Sequence, residues 1–417
     1  SLDVSKTSFM PFEIIHFYIY VDLTLKAFNK NGEILMVEKV RAAVLVKPRK
    51  MEIRKFPYPK DLPEDGMIVK MEMSGICGTD KHVWEGHGFG PAEPYVDVPL
   101  ILGHENVGRV HEIGEKAAKE MEVRGRELKE GDRVTWYPAI LCGKCYYCRR
   151  FPAALNLCER MMIYGYTNCE KPEYKPWLYG GWAEYVYLKP GSWVWKVSDK
   201  IPLEAVAMLD TLVSVRIVET AASPLPNLRL GFGFGDTVVV QGSGPIGMCA
   251  ATKARVFGAS RVIMVGAPEH RLELAKRFGV DETINIEQVK TANERVQTIL
   301  NLTEGRGADM VIDCTGIPAA VPEGIDMVRR GGTFLEIGCF TDRGTVPVNP
   351  QYWVFKDIRI LGQWYAGPQQ YDRDLTLIES RKFPYEKMVT HKFTIEEAQR
   401  ALAASEKLEP LKAVIIP

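Results

Sequence analysis

Residues 236–259 read DTVVVQGSGPIGMCAATKARVFGA, and this stretch decides the fold. Three consecutive valines, Val238 to Val240, lead into the pattern Gly242-x-Gly244-x-x-Gly247 and then into a helix with an apolar face. The first glycine allows a tight turn, the second lets a pyrophosphate approach the backbone, and the third lets helix and strand pack closely. The N-terminus of that helix offers unpaired N–H groups and positive potential to phosphate. Downstream the same alternation continues: RVIMVG, the helix EHRLELAKRFG, ETINI, the helix NERVQTILNLTEG, ADMVIDCTG, a helix around IDMVRRGG, then TFLEIGC and DIRILG. Short Val/Ile runs separated by helices of roughly 10–15 residues are the pattern of βαβ units in a doubly wound parallel sheet.

Residues 206–370 are therefore expected to form an α/β Rossmann domain that binds NAD or NADP. Its cofactor-binding candidates are Gly242, Gly244, Pro245, Ile246 and Gly247 at the turn, with Thr315 and Gly316 after ADMVIDC. An acidic residue is expected about 20 positions after the motif, to bind the adenine ribose diol. It is missing: the second strand ends VIMVGAPEHR, with Gly266 in its place. Gly266 removes the charge that repels a 2′-phosphate, and His270 and Arg271 could bind one. Against that, Arg271 also suits a helix surface, and Glu269 would oppose a phosphate, so NAD and NADP both stay open.

Upstream, residues 38–205 change style. KVRAAVLVKPRKMEIRKFPYP, DGMIVKMEMSGIC, GDRVTWYP and GGWAEYVYLKPGSWVWKV are short β-rich runs broken by Pro, Asp and Gly, which predicts an irregular β domain. Residues 371–417 hold one expected helix, TIEEAQRALAASEK, and a last strand, KAVIIP. Residues 1–37 read as an N-terminal extension, or as sequence upstream of a natural start near Met36, with a strand or hairpin over Phe17–Ala27.

The 417 residues carry 53 basic and 53 acidic side chains, which cancel, and 46% are hydrophobic. That is a globular, multidomain composition with no electrostatic footprint for nucleic acid. The most apolar early run, Met10 to Val21, is about half of the roughly 20 residues a membrane span needs and contains Glu13 and His16. It has neither the basic start nor the cleavage site of a signal peptide, so a cytoplasmic protein is expected.

Nine cysteines are the compositional oddity, and four fall in CGKCYYCRRFPAALNLC as C-x2-C-x2-C-x9-C: Cys142, Cys145, Cys148 and Cys158. Four thiolates at this spacing suit a closed tetrahedral zinc site, which is structural because no coordination position stays open. A second, dispersed set lies in GICGTDKH (Cys77, Thr79, Asp80, His82) and LILGHENVGRV (His104, Glu105). One Cys and one His make half of an open zinc site. Cys169, Cys249, Cys314 and Cys339 are read as ordinary thiols.

GICGTD, GHE, the four-cysteine lobe and GSGPIG, in that order from about Val40 to Pro417, resemble the zinc-dependent medium-chain dehydrogenases, which include alcohol, polyol and threonine dehydrogenases. The resemblance implies a GroES-like β-rich catalytic domain over 38–205, with its zinc lobe at about 140–160. The Rossmann domain interrupts it, and 371–417 return to it. It implies Cys77 and His104 as catalytic zinc ligands and Asp210, in AVAMLDTLVSV, as the third. Glu105 is the alternative third ligand, and that choice stays open. Asp80 would orient a ligand imidazole, Thr79 would contact the substrate oxygen, and His82 would end the proton relay. The last cysteine gap is two residues longer than usual, which suggests a bulged loop. Also implied are two zinc ions per chain, a small alcohol or ketone substrate, and a homodimer or homotetramer. A medium-chain reductase or lyase, or a cofactor-binding protein without catalysis, are the competing readings. The aromatic loops 84–99 and 164–182 could wall the cleft, with Trp84 lining the pocket.

Overall fold

The computed structural model describes residues 39–88, 96–152, 154–216, 218 and 231–417, together with the pairs 27–28 and 34–35. The chain divides into two units, Ser1–Glu38 and Lys39–Pro417. In the first, Ala27–Phe28 pairs antiparallel with Ile34–Leu35. The strand expected over Phe17–Ala27 lies, apart from Ala27, outside the described residues.

In the larger unit a six-stranded, all-parallel sheet is laid out as Glu282–Asn285, Arg261–Gly266, Thr237–Gln241, Ala308–Asp313, Val328–Glu336 and Arg359–Gly362. In chain order this is 3-2-1-4-5-6, whose order reverses beside the first strand, where ligands of such sheets bind. Burial on both faces explains the valine run. Val238 and Val240 pack with Met248 and Ala251 of the helix Pro245–Val256, while Val239 faces Ile299 and Ile325 from the helices Ala292–Leu302 and Ala320–Met327. The helix expected around IDMVRRGG stops at Met327, and Arg329 and Arg330 already belong to the strand Val328–Glu336. An unexpected helix, Gln369–Glu379, buries Tyr371, Asp374, Leu375 and Ile378 at helical spacing.

The β-rich half is a seven-stranded sheet. Its path runs Val194–Lys196, Arg133–Trp136, Glu105–Ile113, Met67–Gly75, Lys412–Ile416 and Val389–Thr394, and Tyr185–Leu188 also pairs with Met67–Gly75. A three-stranded sheet, Lys50–Pro57, Lys39–Lys47 and Leu100–Ile101, packs into the same core. The last strand pairs antiparallel with Ser74 and Gly75, and Gly75 pairs with Glu105. These two pairings set Lys412, Glu105 and Cys77 side by side. Gly75 has to be glycine there, since a Cβ would come 2.1 Å from Glu105 Oε2. No described helix is long and apolar enough to cross a membrane.

Candidate active site

Cys77 is the N-cap of the helix Gly78–Glu85, and Asp80 at its third position accepts from the Cys77 backbone N–H at 2.8 Å. This capping box fixes the thiol against the strand Glu105–Ile113. His104 immediately precedes that strand. Ligand atoms of Cys77, His104 and Glu105 lie within 4.8 Å of one another. Asp210, in the helix Leu209–Val213, stands just outside this group, with Oδ2 3.9 Å from His104 Nε2. The Thr79 hydroxyl is 3.7 Å from Cys77 Sγ.

Each of these groups is held from behind. Tyr166 Oη donates to Asp80 Oδ1 at 2.9 Å and lies 2.9 Å from His104 Nδ1, leaving Nε2 toward Cys77 and Asp210. Burial, and then Asp80, hold the Tyr166 phenol well above its ordinary pKa, so it stays a neutral donor. Glu105 accepts from Thr211 Oγ1 at 2.9 Å and from Lys412 Nζ at 2.6 Å. Burial works against the Lys412 ammonium, but the Glu105 carboxylate outweighs it and raises its pKa. Asp210 Oδ1 accepts from both Tyr365 and Tyr371 hydroxyls. A thiol, an imidazole with one nitrogen free and two buried carboxylates fit a divalent, borderline-soft cation such as zinc.

The cluster lies in a cavity of about 660 Å³. Cys77, Thr79, His82, His104, Glu105 and Asp210 line it on one side, and Gly244, Pro245, Ile246, Arg271, Thr315 and Gly316 on the other. Gly242, Gly247 and Gly266 are not lining residues; they shape the turn behind it. Gly242 has φ +105°, and a Cβ on Gly247 would meet Gly242 O at 1.9 Å. Gly266 is equally constrained, because a Cβ there would meet Ser243 Cβ, N and Oγ at 2.9 Å. The missing acidic residue is thus a packing fact. With Ser243 in the turn, a carboxylate side chain has no room at 266. Arg271 is 8% exposed, so the helix-surface reading is corrected; Nη2 donates to Leu408 O (2.8 Å) and Pro410 O (2.9 Å). Glu269 accepts from Asn285 Nδ2 at 2.7 Å, and His270 is exposed.

The four thiols of Cys142, Cys145, Cys148 and Cys158 also lie within 4.8 Å of one another, with Cys142 and Cys158 Sγ 3.5 Å apart. All nine cysteines are free thiols.

Residues 63–199 match the family described as alcohol dehydrogenase GroES-like domain, and 245–380 the family described as zinc-binding dehydrogenase. The chain is 31% identical over 369 residues to D-xylulose reductase A of Aspergillus oryzae, covering 88% of this chain and 93% of that one. It is 29% identical over 387 residues to 5-exo-hydroxycamphor dehydrogenase of Pseudomonas putida, covering 91% and 99%. The alcohol dehydrogenase structure from Thermotoga maritima superposes with a TM-score of 0.81 at 32% identity, covering 91% and 100%. The chain belongs to the zinc-dependent medium-chain dehydrogenases.

As a member of that family it is an oxidoreductase of alcohols or polyols that uses zinc and a nicotinamide dinucleotide. In this dehydrogenase Trp84 does not line the cleft. It faces inward beside Val83 in the β-rich core at 4% exposure, with the Arg49 guanidinium 4.9 Å over its ring. Of the loop 84–99, residues 89–95 lie outside the described residues. In the loop 164–182, Tyr166 reaches the cavity while Tyr164, Tyr179 and Trp182 fill the core. Cys314 lines the cavity as well. Tyr166, Lys412, Tyr365 and Tyr371 had no motif to announce them; only the aromatic density of 164–182 hinted at the first.

One further pair sits at the strand ends of the dehydrogenase's cofactor domain. Asp313 and Glu336 are register partners. Thr315 N donates to Asp313 Oδ1 (2.9 Å) and Cys339 N to Glu336 Oε1 (2.7 Å), which leaves Asp313 Oδ2 and Glu336 Oε2 buried without a hydrogen-bond partner. Burial, and then Asp313, push Glu336 up to about 7. A carboxyl raised in the folded state costs nothing below its unfolded value of 4.5, and the cost grows as pH rises from there to about 7. Glu336→Gln is therefore expected to gain stability relative to the parent between about pH 5 and about pH 8. Urea unfolding at both pH values checks this, and an equal difference at the two would contradict the raised Glu336 carboxyl.

Proposed function

We propose that this chain oxidises a secondary alcohol or polyol, or reduces the matching ketone, with NAD(P), and holds two zinc ions, one at Cys77 and His104 and one in the four-cysteine lobe. The observation that carries the reading is the cavity itself, which has the Cys77–His104–Glu105 cluster on one wall and the glycine-turn helix on the other. Asp210 or Glu105 completes the donor set, with Asp80 and Tyr166 orienting His104. A zinc ion bound there supplies the Lewis acidity that makes an alcohol acidic near neutral pH.

The chain's own residues then position and deprotonate. Thr79 would accept the substrate's hydroxyl proton at the cluster as it gives up its own toward the ribose of a bound cofactor, through which the relay would reach His82. His82 takes it at the cavity wall, where its Nδ1 is 3.3 Å from Glu85 Oε2. Burial is the largest influence on His82 and lowers its pKa; Lys81 and Arg343 add to this, so the ring is neutral and ready to accept. The helix N-terminus at Pro245 meets the pyrophosphate.

The outer strand Arg359–Gly362 has an open edge, and beside it Val354 and Phe355 are 83% and 64% exposed. An edge with such neighbours supports pairing of two copies into a dimer or tetramer. Nine free thiols, four of them set for metal, suit the cytoplasm.

The test is an alcohol panel scored by reduction of NAD and of NADP, with metal analysis of the same preparation. Turnover lost to a chelator and about two zinc ions per chain are expected. One zinc would mean that one of the two constellations is misassigned, and failure across the panel with cofactor still bound would favour the lyase or reductase reading.

A further inference from the structure

The polar side chains around the Cys77–His104 end of the cavity are already committed inside the protein. Tyr137 Oη donates to Ala366 O at 2.9 Å, and Gln363 Nε2 donates to Ser214 O at 2.7 Å and Tyr365 O at 3.1 Å. Asn156 Nδ2 donates to Trp364 O at 2.8 Å, and its Oδ1 is buried without a hydrogen-bond partner. Ser214 Oγ donates to Asp210 O at 3.0 Å. Tyr166 is spent on Asp80 and His104.

The wall left to meet a substrate is hydrocarbon. Ala139, Met161 and Ile163 line it from the β-rich domain, and Phe340 and Trp364 from the cofactor domain. The last two are stacked plates, with ring centroids 6.1 Å apart and planes within 12°. Trp364 is 41% exposed, so part of its ring surface is open to an apolar group in the cavity. The charged lining residues Lys81, Glu85 and Arg343 are those that act on His82, where the proton leaves.

We propose that the site takes a bulky, largely apolar alcohol, cyclic or aromatic, whose hydrocarbon body packs on Phe340 and Trp364, and that it discriminates against open-chain polyols. The proposal rests on the dehydrogenase reading and narrows its substrate class. Each extra hydroxyl of a polyol would leave water for a wall whose polar groups near the cluster are mostly engaged within the protein, at a cost on the order of ten-fold in kcat/KM. A carbocycle or arene loses no hydrogen bonds there and gains contact with the two plates.

Two readouts test it. The first is binding of cyclohexanone, acetophenone and a bicyclic ketone, against sorbitol and xylitol, to the zinc-loaded chain with cofactor present, by calorimetry. The second is kcat/KM for the matching cyclic and aryl alcohols, sorbitol, xylitol and 2-propanol. Preference for the cyclic and aryl compounds by roughly 100-fold is expected in both. Trp364→Ala is expected to lower kcat/KM for the cyclic alcohols at least ten-fold more than for 2-propanol, mainly through KM, with zinc content and circular dichroism unchanged. Sorbitol or xylitol binding better than the ring compounds would overturn the proposal, and so would equal losses for cyclic and small alcohols in the variant. Ring compounds that bind but are never turned over would uphold the apolar wall and overturn the dehydrogenase reading instead.

Discussion

Cys77→Ser is expected to lower kcat/KM by roughly three orders of magnitude or more, with the fold intact. The fold should survive because Cys77 caps the helix Gly78–Glu85 and serine is a favoured N-cap residue. Its backbone N–H would still donate to Asp80 as it does now at 2.8 Å. What serine cannot supply is the soft thiolate, and a neutral hydroxyl in its place leaves the centre short of one negative charge. The loss should therefore appear in kcat and in zinc retention against a chelator, with little change in urea stability. Full activity in a variant verified to hold its metal would refute the assignment of Cys77 to the catalytic zinc.

The charge balance at this centre explains why a sequence with no net charge says so little about it. Cys77, Glu105 and Asp210 bring a thiol and two carboxyls into one cluster, and Lys412 brings one ammonium. With the thiol ionised as a metal ligand, a dication would neutralise the charge that Lys412 leaves over. The two candidate third ligands are constrained differently. Glu105 is drawn toward Lys412 and Thr211, and Asp210 is gripped by two phenols. Burial and then Asp210 hold both Tyr365 and Tyr371 well above the ordinary phenol range, so both remain donors.

The legible parts of this site were those written as short motifs. The glycine turn and the four cysteines depend on neighbours within a few residues, so spacing carries their reading, while the Cys77–Asp80 and His104–Glu105 segments take theirs from the resemblance to the family. Lys412 meets Glu105 across 307 positions, a pairing created by where the last strand enters the sheet, and no local pattern announces it. Tyr371 went unnoticed because the helix that carries it, Gln369–Glu379, starts after Pro368 with no side-chain cap. The helix misplaced at IDMVRRGG has a similar cause. Pro322 and Gly324 lie inside the true helix Ala320–Met327 and hide it, while the Arg329–Arg330 pair imitates a helix end inside a strand. Trp84 failed through orientation: loop aromatics suggested a pocket wall, but it sits beside Val83 on the buried side of its helix.

Cys145→Ser should cost the chain one zinc ion and the order of its lobe. Residues 142–158 have almost no apolar interior of their own: Tyr146 is 62% exposed, Phe151 42% and Leu157 40%. Four thiols crowded within 4.8 Å also repel one another once ionised. Backbone N–H groups near Cys148 pull the Cys145 thiol down to about 6, while burial pushes Cys148 up to about 12, so a dication is needed to hold all four as thiolates. Zinc in such a lobe contributes folding energy outright, about 10 kcal/mol or more in small domains, and most of that offsets the entropy of ordering the loop. Metal analysis is expected to fall from about two ions to about one, and protease cleavage to appear within 142–158. The effect should also reach the cavity, because Asn156 in this loop holds the Trp364 carbonyl at 2.8 Å. KM for a ring-bearing alcohol is then expected to rise several-fold while kcat changes less, since the Cys77–His104 cluster lies on other elements. Two ions retained with unchanged protease resistance would show that the lobe is not held by metal.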